Sequence, residues 1–204
     1  MIYHCKTLRS FECYIVGGSI RDHLLRRYSK DCDIATPLHP KQLLELLPGS
    51  KMINAAQAYP IVTWMGFEIA SFRKDGVSRA DADGITLTAT LEEDAQRRDF
   101  TMNALYMPLH TKRERGKEDL ILDPTGFGRQ DISNKVIRFV GDPDERIAED
   151  PLRILRAYRF QAQLGFSFES ETERALEDSL KLLTIRKQPV KKSELYLKYG
   201  SEEF

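Results

Sequence analysis

The sequence predicts an α/β (α+β) fold, with a mixed β-sheet and flanking helices followed by a purely helical segment. Short runs of β-branched and aromatic residues, several ending at Gly or Pro, alternate with helical patterns as far as Val140. Beyond Gly141 the apolar spacing is helical throughout. We therefore expect two parts in the 204-residue chain: a sheet-containing head at 1–140 and a partial, helical neck at 141–204.

The first half of the head alternates strands and helices. A buried strand is predicted for CYIVGG, which ends in the glycines Gly17 and Gly18, and a short helix for SIRDHLLRRYS. A second strand is predicted for DCDIAT, and a helix closed by Pro-Gly for PLHPKQLLELLPG. A pair of strands is predicted for residues 60–72, followed by a polar stretch at 73–86 and a strand-like TLTAT.

The second half of the chain becomes increasingly helical. One helix is predicted for LEEDAQRRDFTMNALYM. A strand with a Pro-Gly turn is predicted for ILDPTGFGRQDI, and a last strand for KVIRFVG. Helices are predicted for ERIAEDPLRILRAYRFQAQLGF and ETERALEDSLKLLTIRK.

Composition excludes several classes of protein. No stretch of eighteen apolar residues exists, so we expect no contact with a membrane. The net charge of zero argues against a protein that coats nucleic acid by bulk electrostatics. Cys5, Cys13 and Cys32 lack the spacing of a zinc or redox motif, which favours a reduced, cytoplasmic protein.

Two aspartates in the second predicted strand form a candidate metal site. Asp31 and Asp33 share one face of the strand and lie about 7 Å apart along it. Two like charges at this distance favour a bound cation, and carboxylate oxygens suit Mg²⁺. Glu68, in FEIAS, is a candidate third carboxylate. The alternative is a solvated strand edge or a helix cap.

Two further patterns are candidate phosphate sites. Gly17, Gly18 and Ser19 precede a helix, where backbone amides can hold phosphate, although a tight turn would use the same residues. Arginines at i, i+3 and i+6 project near one helix face, while Leu152, Leu155 and Phe160 face the core. These arginines, which a triphosphate would neutralise, are Arg153, Arg156 and Arg159. The alternative is a solvated face paired with Glu145, Glu149 and Asp150.

Five motifs then appear in order along the chain: GGSIRD at 17–22, DCD at 31–33, RRDFTMNAL at 97–105, DPTGFGRQDI at 123–132 and EDPLRILRAYRF at 149–160. This series resembles that of the class II tRNA nucleotidyltransferases and bacterial poly(A) polymerases, within the polymerase-beta-like superfamily. The resemblance extends from about Tyr14 to about Phe168. It implies a nucleotidyltransferase head in which an RNA 3′-hydroxyl attacks the α-phosphate of CTP or ATP.

The resemblance also implies roles for individual residues. Asp31 and Asp33 would bind catalytic Mg²⁺, with Glu68 supporting them electrostatically. DPTG would be a hinge between head and neck. The residues that would contact the nucleotide are Gly17, Gly18, Ser19, Arg21, Arg98, Asp99, Asn103, Asp150, Arg153, Arg156 and Arg159.

Within that set the resemblance distinguishes three tasks. The glycine turn and Arg21 would hold the triphosphate. Arg98 would touch the nucleotide, and Asp99 and Asn103 would help read or position its ribose. Asp150 and Arg153 would hydrogen-bond the Watson–Crick edge of cytosine or adenine in place of a template. A carboxylate accepts from the exocyclic amine that both bases carry, and Arg donates to ring and carbonyl acceptors.

Family members continue into helical body and tail domains that grip tRNA, whereas this sequence stops soon after the neck begins. We therefore expect a short form: a compact variant, one half of a split enzyme whose partner chain supplies the RNA-binding domains, or a degraded remnant. CCA synthesis, A-only or poly(A) addition, and a non-catalytic nucleotide- or RNA-binding remnant stay open. Modification of a small-molecule hydroxyl is disfavoured by EDxxR, because a choice of C and A serves chiefly to make an RNA end.

Overall fold

The computed structural model of the chain describes residues 7–8, 10–29, 32–53, 60–74, 89–109 and 120–186, with side chains as far as residue 180. Asp31, Cys5, most of the polar stretch at 73–86 and the greater part of TLTAT lie outside the described residues. In the described part of the chain, no helix is long and apolar enough to cross a membrane.

The secondary structure follows the predicted order with several corrections. The strands are β1 (Tyr14–Val16), β2 (Asp33–Thr36), β3 (Lys51–Ile53), β4 (Ile61–Trp64), β5 (Phe67–Ser71), β6 (Tyr106–Pro108), β7 (Val136–Ile137) and β8 (Ser167–Phe168). The helices are α1 (Gly18–Leu24), α2 (Pro40–Leu46), α3 (Leu91–Gln96), α4 (Gly128–Asn134), α5 (Pro143–Glu149), α6 (Leu152–Leu164) and α7 (Ser170–Arg186), with a 3-10 turn at Thr101–Asn103.

Six strands form one mixed sheet in the order β3-β4-β5-β2-β1-β6. The β2–β5 pair is parallel, and the other neighbours are antiparallel. The predicted fold class, a mixed sheet with flanking helices, is confirmed. β2 and β5 therefore begin at the same edge of the sheet, where Asp33 lies opposite Glu68.

Head and neck share one core. Phe100 and Phe139 of the head stack with ring centroids 4.8 Å apart, and Phe160 of α6 packs edge-on against Phe100 at 5.6 Å. β8, in the neck, pairs in parallel with β7 of the head. Packing therefore continues across residue 141, and the division into 1–140 and 141–204 stays a prediction.

The single helix predicted for LEEDAQRRDFTMNALYM is wrong. α3 ends at Gln96, and Phe100 is extended, with φ −125° and ψ 145°, where it forms a β-bridge to Phe139. The last part of the segment is β6, which pairs with β1. Pairing and burial of these residues outweigh their local helical preference, as tertiary contacts commonly do.

Other predicted elements also change. The strand predicted over ILDPTGFGRQDI is wrong: its first part forms only an isolated bridge from Leu122 to Tyr106, and its second part is α4. Asp123 accepts hydrogen bonds from the backbone amides of Gly126 and Arg129 and so turns the chain. The first neck helix breaks at Asp150, whose extended backbone precedes Pro151. The described end of TLTAT is not strand, since Thr90 caps α3. Neither β3 nor β8 was predicted, and β8 shows that the neck is not purely helical, because its backbone pairs with β7.

Gly128 lies where α4 meets the 3-10 turn, and we predict that Gly128→Ala destabilises the protein. The added Cβ would lie 2.5 Å from the carbonyl oxygen of Thr101 and 2.9 Å from Leu105 Cδ2. Glycine-to-alanine changes in helices ordinarily stabilise by about 0.5–1 kcal/mol. Overpacking costs about 1–3 kcal/mol, and a backbone oxygen has little room to move, so we expect a net loss.

Urea unfolding measures this difference in the free energy of unfolding. Ser133→Ala, on an exposed position of the same helix, is the control and should change stability by less than about 0.5 kcal/mol. A more stable Gly128→Ala variant would contradict the close approach of α4.

His39 makes stability depend on pH at the start of α2. Its Nδ1 accepts a hydrogen bond from the backbone N–H of Lys41 at 3.2 Å. Burial and the charge of Lys41 lower the pKa of His39 below 6.5. A lowered pKa means that folding favours neutral imidazole, so this contribution is present above the ordinary pKa and is lost as pH falls through the lowered one.

We predict that the free energy of unfolding falls by up to about 1 kcal/mol between pH 7 and pH 5 through loss of this cap. In His39→Asn, which caps without titrating, this part of the pH dependence should vanish. Thermal unfolding at a series of pH values measures it, and identical pH profiles for the two proteins would refute the role of His39.

Candidate active site

The candidate site begins at the glycine turn between β1 and α1. Gly17 has φ 72° and ψ −141°, a conformation that residues with a Cβ rarely adopt. Ser19 Oγ donates a hydrogen bond to the carbonyl of Val16 at 3.0 Å and so closes the turn. A Cβ on Gly17 would lie 3.6 Å from Arg98 Nη1. The turn therefore places bare backbone next to a guanidinium group.

Two of the three predicted carboxylates lie side by side. In the parallel β2–β5 pair, Asp33 is directly opposite Glu68, and both side chains are exposed. They line a cleft of about 170 Å³, whose other lining residues are Val16, Ile34, Ala35, Ile61, Ala70, Ser71, Asp94, Arg97 and Arg98. The structure therefore brings β2, β5 and the RRDF motif to one cleft. Asp31 lies outside the described residues.

Asp94, which the sequence analysis did not single out, is the buried anion of this cleft. Only 1% of its side chain is exposed. Burial by itself would raise the pKa of Asp94, but the charges of Arg98 and Arg97 and a hydrogen bond from Tyr106 outweigh it and hold the pKa below its ordinary value. The spacing Asp-x-x-Arg-Arg, which puts a carboxylate one helical turn before two arginines, was the available sequence signal.

Four of the predicted nucleotide residues form one chain of hydrogen bonds between head and neck. Arg21 Nη1 donates to Asn103 Oδ1 at 2.7 Å, and Asn103 Nδ2 donates to Asp99 Oδ1 at 3.3 Å. Arg156 Nε of α6 donates to Asp99 Oδ2 at 2.7 Å. Arg21 also bonds to Asp22 through Nε and Nη2. Arg21, Asn103, Asp99 and Arg156 thus connect α1 of the head to α6 of the neck.

The ring of Phe160 lies among the arginines of this region. The guanidinium carbons of Arg21 and Arg159 are each 5.0 Å from its centroid, and that of Arg156 is 5.8 Å away. Phe160 is buried, as predicted. Leu152 and Leu155, also predicted to face the core, are only half-buried, because the inward face of α6 is defined instead by Ile154, Ala157 and Phe160.

The two predicted base-selecting residues lie at the junction of α5 and α6. Asp150 Oδ1 accepts from the backbone N–H of Leu152 at 3.0 Å. Arg153 Nη1 donates to Glu149 Oε2 at 2.7 Å and to the carbonyl of Arg146 at 2.8 Å. Its Nη2 donates to the carbonyl of Arg97 at 3.2 Å. Arg153 thus pairs with Glu149 in the structure, which is the alternative to phosphate binding that the sequence left open.

Among the residues that the structure describes, no three or more His, Cys, Asp or Glu side chains are grouped to hold a metal ion. The described carboxylates next to one another in the cleft are Asp33 and Glu68. Oxygen ligands of this kind suit a hard divalent cation.

Comparison with known proteins gives the class. The model of the poly A polymerase head domain matches residues 13–138. A CCA-adding enzyme from Anoxybacillus flavithermus is 42% identical over 170 residues, covering 81% of this chain and 40% of the relative. One from Lactobacillus helveticus is 41% identical over 179 residues, covering 85% and 42%. The chain thus spans about four tenths of the length of these relatives.

Solved structures agree with the sequence relatives. The CCA-adding enzyme of Bacillus stearothermophilus in complex with CTP superposes with a TM-score of 0.65 at 38% identity, covering 80% of this chain and 38% of that one. A tRNA nucleotidyltransferase complexed with a primer tRNA and an incoming ATP analogue superposes with a TM-score of 0.67 at 28% identity, covering 93% and 52%. The chain belongs to the poly A polymerase head domain family, which confirms the resemblance drawn from the five motifs.

We predict that Asn103→Ala destabilises the protein, because it removes the link between Arg21 and Asp99. Asn103 is 6% exposed, so the groups it leaves behind have little access to water. An unsatisfied buried partner costs about 1–3 kcal/mol. Urea unfolding should show a loss in this range, whereas Gln163→Ala, at an exposed position of α6, should change stability by less than about 0.5 kcal/mol. Equal stability of the two variants would show that the hydrogen-bond chain contributes nothing.

Proposed function

We propose that the chain is the catalytic part of a metal-dependent, template-independent RNA nucleotidyltransferase, which adds C and A from CTP and ATP to an RNA 3′ end in tRNA CCA synthesis or repair. The observation that carries the proposal is the cleft itself. Two exposed carboxylates on neighbouring strands share it with two arginines, beside a glycine turn. This arrangement suits a triphosphate, whose negative charge needs both metal ions and guanidinium groups.

The donor set fits Mg²⁺. Asp31 and Asp33 would hold the ion, and Glu68, opposite Asp33 in the β2–β5 register, would add negative charge next to it. Bound there, Mg²⁺ would supply neutralisation of phosphate charge and a template for the reacting oxygens. Membership of the poly A polymerase head domain family supports Mg²⁺ as the cofactor.

The chain's own residues would bind and orient the nucleotide. Arg98 lies against Gly17, and Arg21 Nη2 lies 3.3 Å from the position of a Cβ on Gly18, so both place positive charge at the turn. We propose that the triphosphate lies here, with Ser19 holding the turn closed. The RNA 3′-hydroxyl would then form a bond to the α-phosphorus, the bond to the β-phosphate oxygen would break, and pyrophosphate would leave as the hydroxyl proton is lost.

Base choice is proposed for the junction of α5 and α6. Asp150 would accept from the exocyclic amine of cytosine or adenine, and Arg153 would donate to the ring acceptors. Arg153 donates to the carbonyls of Arg146 and Arg97, which would orient it for this task, and exposed Glu149 is the partner that a base would displace. Asp99 and Asn103 would orient the ribose, and Arg156 and Arg159 would add charge from α6.

Relatives support the substrates. One is a CCA-adding enzyme solved with CTP, another a tRNA nucleotidyltransferase solved with a primer tRNA and an ATP analogue. Because the chain spans about four tenths of its curated relatives, we propose that part of the RNA contact comes from regions beyond the matched segment or from a partner chain. The proposed compartment is the cytoplasm, where tRNA ends are repaired and cysteines stay reduced.

Incorporation of labelled CTP and ATP, separately and together, tests the proposal. The acceptors are tRNAs lacking the whole CCA end, its last two nucleotides or only the terminal A, with Mg²⁺ present. We predict C, C and then A on the first acceptor. Addition of A alone would indicate an A-adding or polyadenylating variant. A folded, nucleotide-binding protein that incorporates nothing would indicate that the RNA contact comes from another chain or that the activity has been lost.

We predict that Asp33→Asn lowers incorporation by at least about a hundredfold, because it removes a charge from the metal site. Asp33 is exposed, so thermal unfolding of the variant should match that of the wild type. Glu45→Gln, the same kind of change at an exposed position of α2, is the control and should leave incorporation unchanged. Undiminished incorporation by Asp33→Asn would refute the assignment of the site.

A further inference from the structure

We propose that Asp94 is a positioning residue, whose buried carboxylate holds the guanidinium groups of Arg97 and Arg98 at the wall of the cleft and so sets the affinity for the triphosphate. The inference rests on the proposed function, since it names how the same cleft would bind the phosphates. It also adds Arg97 to the residues that face the nucleotide.

The contacts of Asp94 account for both oxygens. Oδ1 accepts from Nε of Arg97 at 2.9 Å and from Nη2 at 2.5 Å. Oδ2 accepts from Nη2 of Arg98 at 3.0 Å and from the hydroxyl of Tyr106 at 2.7 Å. Arg98 Nε donates in turn to the Tyr106 hydroxyl at 2.8 Å. One carboxylate therefore restrains two adjacent guanidinium groups, each through more than one hydrogen bond.

The same carboxylate ties the arginines to the strand that carries Glu68. The backbone N–H of Arg73, just beyond the end of β5, donates to Asp94 Oδ1 at 3.0 Å. Tyr106 belongs to β6, and Asp94 itself to α3. A single buried group thus connects the end of β5, α3 and β6, three elements that meet around the cleft.

The charge balance explains why an anion is useful at this position. Arg97 and Arg98 adjoin each other, and without a shared counter-ion their charges would repel. With Asp94 the three side chains carry a net charge of +1, beside the exposed carboxylates of Asp33 and Glu68. The side chains of Arg97 and Arg98 are 22% and 17% exposed, so a ligand in the cleft can contact them, whereas the carboxylate of Asp94 is buried. Phosphate oxygens entering the cleft would meet guanidinium groups that are already oriented.

Stability alone is a weak reason for such an arrangement. Apolar residues of similar volume often stabilise a protein as well as a buried ion pair does, even where the pair offsets its own desolvation. Glu93, the preceding acid, has the ordinary role: it caps α3 with Thr90 and pairs with Lys74 at 2.5 Å. Glu93 therefore stabilises its own helix, whereas Asp94 holds the arginines that line the cleft.

The test compares Asp94→Asn with Glu93→Gln. The new amide oxygen of Glu93→Gln can still accept the hydrogen bond from the backbone N–H of Thr90 that completes the capping box. Affinities for CTP, ATP and inorganic tripolyphosphate are measured on the full chain with Mg²⁺ and without RNA, alongside thermal unfolding. We expect Asp94→Asn to weaken all three ligands by the same factor, about tenfold or more, because the change lies at the phosphates. Glu93→Gln should bind as the wild type does.

Two further variants keep the test decisive if Asp94→Asn fails to fold. Tyr106→Phe removes one hydroxyl and leaves the contacts of Arg97 intact, so we expect a smaller loss of affinity. Arg97→Gln removes a proposed phosphate contact directly, so its loss should approach that of Asp94→Asn. In steady-state incorporation, KM for both nucleotides should rise by a similar factor, with kcat less affected and the preference between CTP and ATP retained.

The outcomes separate this inference from the proposed function. A variant with a lowered melting temperature but wild-type affinity would show that Asp94 is only structural and would overturn the inference, as would a change confined to CTP or to ATP. A wild-type protein that binds tripolyphosphate and nucleotides but never extends RNA would refute RNA extension by this chain alone and leave the inference standing. A wild-type protein that binds none of the three would overturn the inference.

Discussion

The chain leaves the helical conformation between Gln96 and Thr101, and the arrangement of the cleft depends on that departure. Phe100 turns into an extended conformation, because its ring packs between Phe139 and Phe160 and its backbone bridges to Phe139. The residues on either side then diverge. Arg97 and Arg98, directly after the end of α3, line the cleft, while Asp99 points to the neck and accepts from Arg156. If the helix continued, the directions of Arg97, Arg98 and Asp99 would be fixed by its 3.6-residue period. The break instead lets the arginines contact Asp94 while Asp99 contacts Arg156.

Around this break, like charges lie close together, and each group is held by an opposite charge or a polar neighbour. The buried carboxylate of Asp94 lies between two arginines, and that of Asp99 lies between Asn103 and Arg156. Such networks rigidify a site only when their members are satisfied, since an unpaired buried charge is costly. Preorganised guanidinium groups and backbone at the glycine turn then lose little freedom on meeting a triphosphate, which is the physical basis for the proposed affinity.

The neck contributes to the same site through α6. Its arginines surround the ring of Phe160, and one of them, Arg156, joins the hydrogen-bond chain that starts at Arg21 in α1. Base selection, proposed for Asp150 and Arg153, and triphosphate binding, proposed for the glycine turn, are therefore mechanically connected. A movement of α6 would therefore change the hydrogen bonds that Asp99 makes with Arg156 and Asn103.

The sequence by itself determined the family and the mixed α/β class, and it named Asp33, Glu68 and Arg98, which the structure brings to one cleft. A glycine turn, alternating carboxylates and ordered motifs are local patterns, which is why the sequence alone reveals them. It also predicted β1, β2, β4 and β5 and the helical character of the neck, since their apolar periods match their structure. Only the tertiary structure decided that RRDFTMNAL divides into a helix end, an extended link and a 3-10 turn. It likewise decided that Asp94 is buried, whereas Glu93, one residue earlier, is a cap. The physical reason is the same in both cases: local preference was outweighed by pairing with Phe139 and by arginines that share one buried counter-ion, and those contacts exist only after distant segments have met.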